Sequence, residues 1–240
     1  MRNFSILALF LGLLLTASCA TVDTDEGSRE REAESHFKLG VAYRNDNKIQ
    51  QAFVEFHKAY ELNPKNKEVV NAIGILYLLH LDDTQKALEY FDKATKLDPF
   101  YSEAYNNLGY AYEKMGSFDK AVTFYKKALS NPVYQTAEKA YFNLGNAYYR
   151  QGKFADAIAA FKESIRRVPD LHQPYLRLAL CYNALGKYGD AADAMAQAIK
   201  TDPVYKGNRE KALEDFTLRK LRTTGYEEQD LRDFIEIMKY

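Results

Sequence analysis

Small and apolar residues recur in a helical pattern along residues 33–205. A segment resembling Leu-Gly-x-x-Tyr returns every 34 to 36 residues, with its glycine or alanine at Gly40, Gly74, Gly109, Gly145 and Ala179. A later alanine follows in each unit at Ala52, Ala87, Ala121, Ala157 and Ala191, and a large residue follows that alanine at Phe56, Phe91, Tyr125, Phe161 and Met195. A proline then closes each unit, at Pro64, Pro99, Pro132, Pro169 and Pro203. Because small residues let two helices cross closely and proline ends a helix, each unit predicts two packed helices joined by a turn.

This register resembles the tetratricopeptide repeat, a helix–turn–helix of about 34 residues. The fourth unit, AEKAYFNLGNAYYRQGKFADAIAAFKESIRRVP, is close to the family consensus. The resemblance implies an all-α fold, a right-handed solenoid of five repeats over 33–205 with a concave inner face. Turns are expected at Gly116, Gly152 and Gly186. Residues 206–240 are predicted to form C-terminal capping helices, with Ala212, Phe216 and Leu221 on one side of the first.

The N-terminal residues predict an export signal. Arg2 precedes a mainly apolar run over residues 4–15, which is shorter than the roughly 20 residues that a membrane-spanning helix needs. Small residues and Cys19 follow, so 1–18 is predicted to be a signal peptide. The arrangement resembles the lipobox of bacterial lipoproteins, which implies acyl chains on Cys19. Thr16 stands where that motif usually has leucine, so an ordinary secretory signal cut nearby is the alternative.

The segment over 19–32 is predicted to be a lipidated cysteine followed by a disordered tether, because residues 21–32 contain one aliphatic and no aromatic residue. Membrane affinity is expected to come from the lipid anchor, since the body of the chain has no basic surplus. Lys+Arg and Asp+Glu both number 33, which also disfavours nucleic-acid binding.

The motifs of catalysis and metal binding are missing from the sequence. The four histidines, His36, His57, His80 and His172, have no metal-ligand spacing, and there is no nucleophile elbow or phosphate loop. We therefore predict no catalytic residue, no metal, no cofactor apart from the acyl chains on Cys19, and no small-molecule substrate. Cys181 falls in a slot between the two helices of its repeat and is predicted to be a buried thiol.

The concave face, lined by the first helix of each repeat, is the predicted protein-binding groove. Its residues by register are Phe37, Val41, Asn71, Ile75, Leu78, Asn106, Tyr110, Phe142, Asn146, Tyr149, Leu176 and Leu180. They are mostly apolar or aromatic and suit an amphipathic helix or an extended segment, with the Asn amides able to bond its backbone. Cations are missing from these positions, which disfavours a clamp for a carboxylate. Packing between repeats is the alternative role for Phe142 and Leu176.

The chain resembles the outer-membrane pilotin lipoproteins of type IV pili in having a signal peptide followed by Cys19, an acidic tether and these repeats. The third junction, ALSNPVYQTAEKAYFNLG, is longer than usual and carries Tyr134, as in that family. The resemblance implies a non-enzymatic protein on the periplasmic side of the outer membrane that binds a secretin subunit and promotes its localisation and assembly. The alternative is a general periplasmic adaptor that recruits murein hydrolases or proteases, with another cell-envelope protein as partner.

Overall fold

The computed structural model of the chain describes residues 25–240, which fold into helices joined by short turns. The first ten helices form five pairs: α1 Asp25–Asn45 and α2 Ile49–Leu62; α3 Lys67–Leu79 and α4 Thr84–Leu97; α5 Ser102–Lys114 and α6 Phe118–Leu129; α7 Ala137–Arg150 and α8 Phe154–Arg167; α9 His172–Ala184 and α10 Tyr188–Thr201. Two further helices, α11 Arg209–Lys220 and α12 Tyr226–Ile237, end the chain. Each pair packs tightly within itself and against the next pair, which confirms the all-α solenoid.

The N-terminal boundary differs from the predicted one. The sequence predicted a disordered tether as far as residue 32, but α1 begins at Asp25. Residues 25–32 are rich in Glu and Arg, which have good helix propensity, and they extend the first helix without burying an apolar face. The predicted signal peptide over 1–18, Cys19 and the rest of the tether lie outside the described residues. Among the helices of 25–240, none is long and apolar enough to cross a membrane.

A glycine in the first helix of four repeats lies directly against an aromatic ring of the second helix. A Cβ atom on Gly145 would lie 2.5 Å from the ring of Phe161, which is fully buried. The same close approach occurs in three other repeats, between Gly40 and Phe56, Gly74 and Phe91, and Gly109 and Tyr125. The ring fills the space that a side chain on the first helix would need, so the crossing is set by a glycine–aromatic pair.

The fifth repeat solves the same packing problem with different residues. Ala179 replaces the glycine and Met195 replaces the ring, and both are buried. Methionine is flexible and fills irregular gaps, so it can leave room for the alanine methyl group. Cys181, two residues further on, is fully buried as predicted. Its burial raises the pKa of the thiol to about 12.

The turns within repeats follow the predicted glycines. Gly116, Gly152 and Gly186 all have φ near +70°, a conformation that costs glycine little. In the first two repeats Asn47 and Asp82 take this position, at φ of 59° and 51°. Short polar side chains tolerate this conformation better than most, which explains why the first two turns need no glycine.

The C-terminal helices do not continue the solenoid. In α11, Ala212 and Phe216 are buried as predicted, but Leu221 lies just beyond the helix and is 74% exposed. The helix α12 turns back from Gly225 and packs on α9, α10 and α11, and the rings of Phe216 on α11 and Phe234 on α12 lie 5.3 Å apart. The open end of the last repeat is therefore covered mainly by α12.

Candidate protein-binding groove

All twelve predicted groove residues lie on the first helix of a repeat, and together they define what we call the groove face. They lie on α1 (Phe37, Val41), α3 (Asn71, Ile75, Leu78), α5 (Asn106, Tyr110), α7 (Phe142, Asn146, Tyr149) and α9 (Leu176, Leu180). Their availability differs strongly along the solenoid. Three of them are buried and five lie in an open half. The other four lie on the last two repeats, where the C-terminal helix α12 covers much of the face.

Asn71, Leu78 and Leu180 are buried, which corrects their assignment to an open surface. Leu78 and Leu180 are each 2% exposed and belong to the core between neighbouring repeats. The register gives the direction of a side chain, but the next repeat approaches closely enough to cover it.

Two asparagines of the groove face accept hydrogen bonds from asparagines of the next repeat's first helix. Asn107 donates from Nδ2 to Oδ1 of Asn71 at 2.8 Å, and Asn143 donates in the same way to Asn106 at 3.1 Å. These amides tie successive first helices together, so they are less free for a partner's backbone than the sequence suggested. Asn146 differs, because its Oδ1 atom is buried and accepts no hydrogen bond within the described residues.

The open half of the groove face comprises Phe37, Val41, Ile75, Asn106 and Tyr110. Tyr110 is 38% exposed and the other four are partly exposed. Phe37 packs at 5.8 Å from the ring of Phe56 and keeps part of its surface in solvent. This half therefore offers apolar and aromatic side chains that another protein could bury.

The closed half comprises Phe142, Tyr149 and Leu176 with two cations, Arg150 and Arg177, and α12 lies across it. A cleft of about 290 Å³ remains between α12 and the repeats. Its lining includes Phe142, Leu176 and Arg177 on one side and Asp230, Leu231 and Phe234 of α12 on the other. Phe142 and Leu176 also pack against the core, which shows the packing role that the sequence left open for them, while their role in binding a partner stays a prediction.

A carboxylate of α12 is bound by the closed half. Asp230 is 4% exposed, and its Oδ2 atom accepts hydrogen bonds from Arg177 and, at 3.4 Å, from Arg150. The hydroxyl of Tyr149 donates to Oδ1 at 3.2 Å. Burial, together with the nearby carboxylate, raises the pKa of Tyr149, so this phenol remains a donor.

The twelve register positions carry no cation, as the sequence shows, but two arginines at neighbouring positions do bind a carboxylate here. Arg177 directly follows Leu176 and Arg150 directly follows Tyr149, so each arginine lies one position from a predicted groove residue. The residues next to each register position are the signal that reveals both arginines.

A further ionisable group, Glu113, lies near the two arginines. Its carboxylate accepts a hydrogen bond from the hydroxyl of Tyr125 at 2.7 Å. Burial raises the pKa of Glu113, although that hydrogen bond and the two arginines act in the opposite direction.

The described residues contain no group of three or more side chains that could hold a metal ion. The polar groups of the closed half all serve to hold one carboxylate. This arrangement can bind a helix that presents one carboxylate beside apolar side chains.

Family models for the tetratricopeptide repeat match the chain at residues 33–66, 102–131 and 142–206, and a further repeat model of the same kind matches 81–116. Among curated proteins, the uncharacterized protein ycf37 of Guillardia theta is 30% identical over 125 residues, which is 49% of this chain and 70% of that protein. The CTR9 homolog of Arabidopsis thaliana is 39% identical over 74 residues, 31% of this chain. That match spans only 7% of the CTR9 homolog. A similar match to anaphase-promoting complex subunit 3 of Schizosaccharomyces pombe spans 10% of that protein.

Solved structures resemble a larger part of the chain. PilW, described as a widely conserved type IV pilus biogenesis factor, superposes with a TM-score of 0.69 at 23% identity, covering 85% of this chain and 90% of PilW. The pilF protein of Pseudomonas aeruginosa superposes with a TM-score of 0.66 at 20% identity, covering 85% and 98%. MamA gives 0.58 at 26% identity, covering 68% and 94%. With the repeat models and the paired helices in agreement, the chain belongs to the tetratricopeptide-repeat family of protein-interaction scaffolds.

Proposed function

We propose that this chain is a lipid-anchored outer-membrane protein, facing the periplasm, that binds a secretin subunit and promotes its localisation and assembly in type IV pilus biogenesis. The observation that carries the proposal is the likeness to PilW and pilF, which extends over 85% of this chain and nearly all of theirs. At 20–23% identity that likeness concerns the fold, so the role in pilus biogenesis is an inference from shared architecture.

The third junction supports the same proposal. Its extra residues carry Tyr134, which the sequence associates with pilotins, and this ring is buried between the third and fourth repeats beside Tyr105 and Ala137. Tyr134 is thus the residue of the longer link that joins the core, while its neighbours Val133 and Gln135 are exposed.

The open half of the groove face supplies the binding energy in this proposal. Full burial of an apolar side chain contributes about 1.5–3 kcal/mol, part of which is offset by ordering the partner. Burying the exposed parts of Phe37, Val41 and Tyr110 under a partner segment would give useful affinity without any catalytic step. The chain acts here by binding alone.

The test is complementation of a deletion strain, read as heat-resistant secretin multimers on a gel. Deletion should abolish the multimers, and the wild-type gene should restore them. The double variant Phe37→Ala with Tyr110→Ala should restore them poorly. Phe100→Ala is the matched control, because this ring is 78% exposed and lies in the loop between α4 and α5, away from the groove face.

Multimers that persist in the deletion strain would reject the secretin role. That result would favour the general periplasmic adaptor that recruits murein hydrolases or proteases.

The anchor is tested separately with Cys19→Ala. This variant should lose its acyl chains and move from the membrane fraction to the soluble periplasmic fraction, because the rest of the chain supplies no membrane affinity. Unchanged membrane association would contradict the anchor.

A further inference from the structure

The helix α12 resembles a bound ligand more than a repeat helix. Its inward side carries Asp230 followed by Leu231, Phe234 and Ile237, one, four and seven residues later, and all four are buried. Its outward side carries charged residues that pair with each other, such as Arg232 with Glu228. This is the pattern of an amphipathic helix that lays one face in a groove.

The contacts of α12 join polar recognition to apolar burial. Asp230 reaches Arg150, Tyr149 and Arg177, which belong to two different repeats. Charge-assisted hydrogen bonds of this kind give orientation as well as energy. The apolar residues that follow the carboxylate lie against α9, α10 and α11. A carboxylate and three apolar positions therefore define what this half of the groove recognises.

A single short link attaches α12 to the helix before it. A short link over 221–225 connects it to α11, and Gly225 has φ of 67° and ψ of −136°, which only glycine adopts readily. Leu221 and Tyr226, on either side of the link, are largely exposed. The cleft beneath α12 shows that its side chains fill the site incompletely. Leu231, Phe234 and Ile237 share a core with the last repeat, so displacing α12 requires that the incoming helix cover the same apolar surface.

We propose that α12 is an internal ligand of the closed half, and that an amphipathic helix of the partner binds there in its place. The partner helix carries a carboxylate followed by apolar residues one, four and seven positions later, and the carboxylate is held by Arg150 and Arg177. The inference rests on the proposed function in taking the groove face as the partner's site. Displacement of α12 joins the closed half to the open half and gives the partner one continuous surface.

The experiment uses the full chain and a fluorescent synthetic peptide of residues 225–240 as the probe. In the wild-type chain the internal helix competes at high effective concentration, so the peptide should bind weakly. In the Asp230→Ala chain the internal helix is weakened, and the unchanged peptide should bind about tenfold more tightly or better, the factor that one charge-assisted hydrogen bond gives. Fluorescence anisotropy measures both affinities.

Two controls assign the effect. Adding Arg177→Ala to the Asp230→Ala chain should remove the gain, because the peptide's own carboxylate then loses its partner. Arg232→Ala, which alters only the outward side of α12, should bind the peptide as weakly as the wild-type chain does. Equal affinity for the wild-type and Asp230→Ala chains, or a gain that survives Arg177→Ala, would overturn the proposal.

Hydrogen exchange on the wild-type chain gives an independent measurement that needs no destabilised variant. Excess peptide should speed amide exchange in α12 and leave α7 and α9 protected. An exchange rate in α12 that does not change when peptide is added would contradict displacement. Light scattering that shows a dimer held through α12 would make a second copy the occupant and would overturn the partner helix. If peptide exchange fails while secretin multimers still require the chain, the internal ligand is rejected and the proposed function stands. The reverse pattern rejects the secretin role alone.

Discussion

Replacing Gly145 with alanine tests the physical basis of the repeat. The new Cβ atom would lie 2.5, 2.6 and 2.8 Å from three ring atoms of Phe161, closer than carbon atoms pack. The ring is fully buried and cannot swing into solvent, so α7 and α8 must move apart or the ring must leave its rotamer. Both responses strain the core.

The magnitude follows from two opposing effects. Overpacking a well-filled core costs about 1–3 kcal/mol. Alanine has better helix propensity than glycine by about 1 kcal/mol, which offsets part of that cost. Three ring contacts below 3 Å place the overpacking cost in the upper part of its range, at about 2–3 kcal/mol. After the offset, we expect Gly145→Ala to lower the free energy of unfolding by about 1–2 kcal/mol, or about 2–8 °C in Tm for a chain of this size.

The fifth repeat supplies the compensating change. Because Ala179 is paired with Met195 there, Phe161→Met should make room for a methyl group on residue 145. In the Phe161→Met background, Gly145→Ala should be neutral or stabilising, so the two substitutions should couple by about 1–3 kcal/mol in a double-mutant cycle. Urea unfolding followed by circular dichroism measures all four chains. Gly189→Ala is the control, because a Cβ there meets nothing within 4 Å, and it should gain about 0.4–1 kcal/mol.

Two results would refute this reasoning. One is a Gly145→Ala chain that is as stable as the wild type while Gly189→Ala gains stability. The other is a Gly145→Ala cost that is the same with Phe161 and with methionine at that position. Either result would mean that the close glycine–aromatic contact does not limit how the two helices pack.

Three further outcomes are expected. Tyr134→Ala should cost about 3–5 kcal/mol in urea unfolding, because it removes a buried ring from the third junction, and a loss under 1 kcal/mol would place the ring outside the core. In the Cys19→Ala chain, Cys181 should react with a thiol reagent only after denaturation, since burial raises its pKa to about 12, and fast labelling of the folded chain would contradict this. Burial raises the pKa of Glu113 in the folded state above its ordinary value of 4.5, so its contribution to stability is lost as pH rises through that raised pKa. Glu113→Gln should therefore gain stability over the wild type as pH rises from acidic to neutral, and an equal pH dependence in both chains would reject the argument.

The core could be predicted from the sequence because the small and large residues that pack together lie within the same repeat. The spacing from Gly145 to Phe161 gives the helix pair and its crossing, and the same spacing returns with small changes in every repeat. Local patterns of this kind depend on contacts within about 40 residues, so no distant information is needed. The first helix was the exception at its N-terminal end, where residues 25–32 form a charged helical extension that hydrophobic pattern alone reads as disordered.

The groove was harder to predict because it depends on contacts between distant parts of the chain. Asp230 binds Arg150 across 80 residues of sequence, and nothing in the pattern of α12 shows which surface it covers. From the sequence alone, an arginine on a helix surface is expected to be solvated, because its partner carboxylate is not known. Leu78 failed as a groove residue for a related reason, since the reach of the following repeat decides its burial.

The internal helix changes what affinity means for this protein. A partner that binds the closed half must first displace α12. Its apparent affinity therefore equals its intrinsic affinity multiplied by the fraction of chains in which the site is free. A partner without a carboxylate would cover the partly exposed Arg150 and Arg177 without giving them an acceptor, and that penalty disfavours it. A partner with the right carboxylate recovers the same bonds that Asp230 gives up, so the polar exchange is nearly neutral. Selectivity on this proposal comes from the arginine pair, while the net gain in affinity comes from the apolar side chains of the open half.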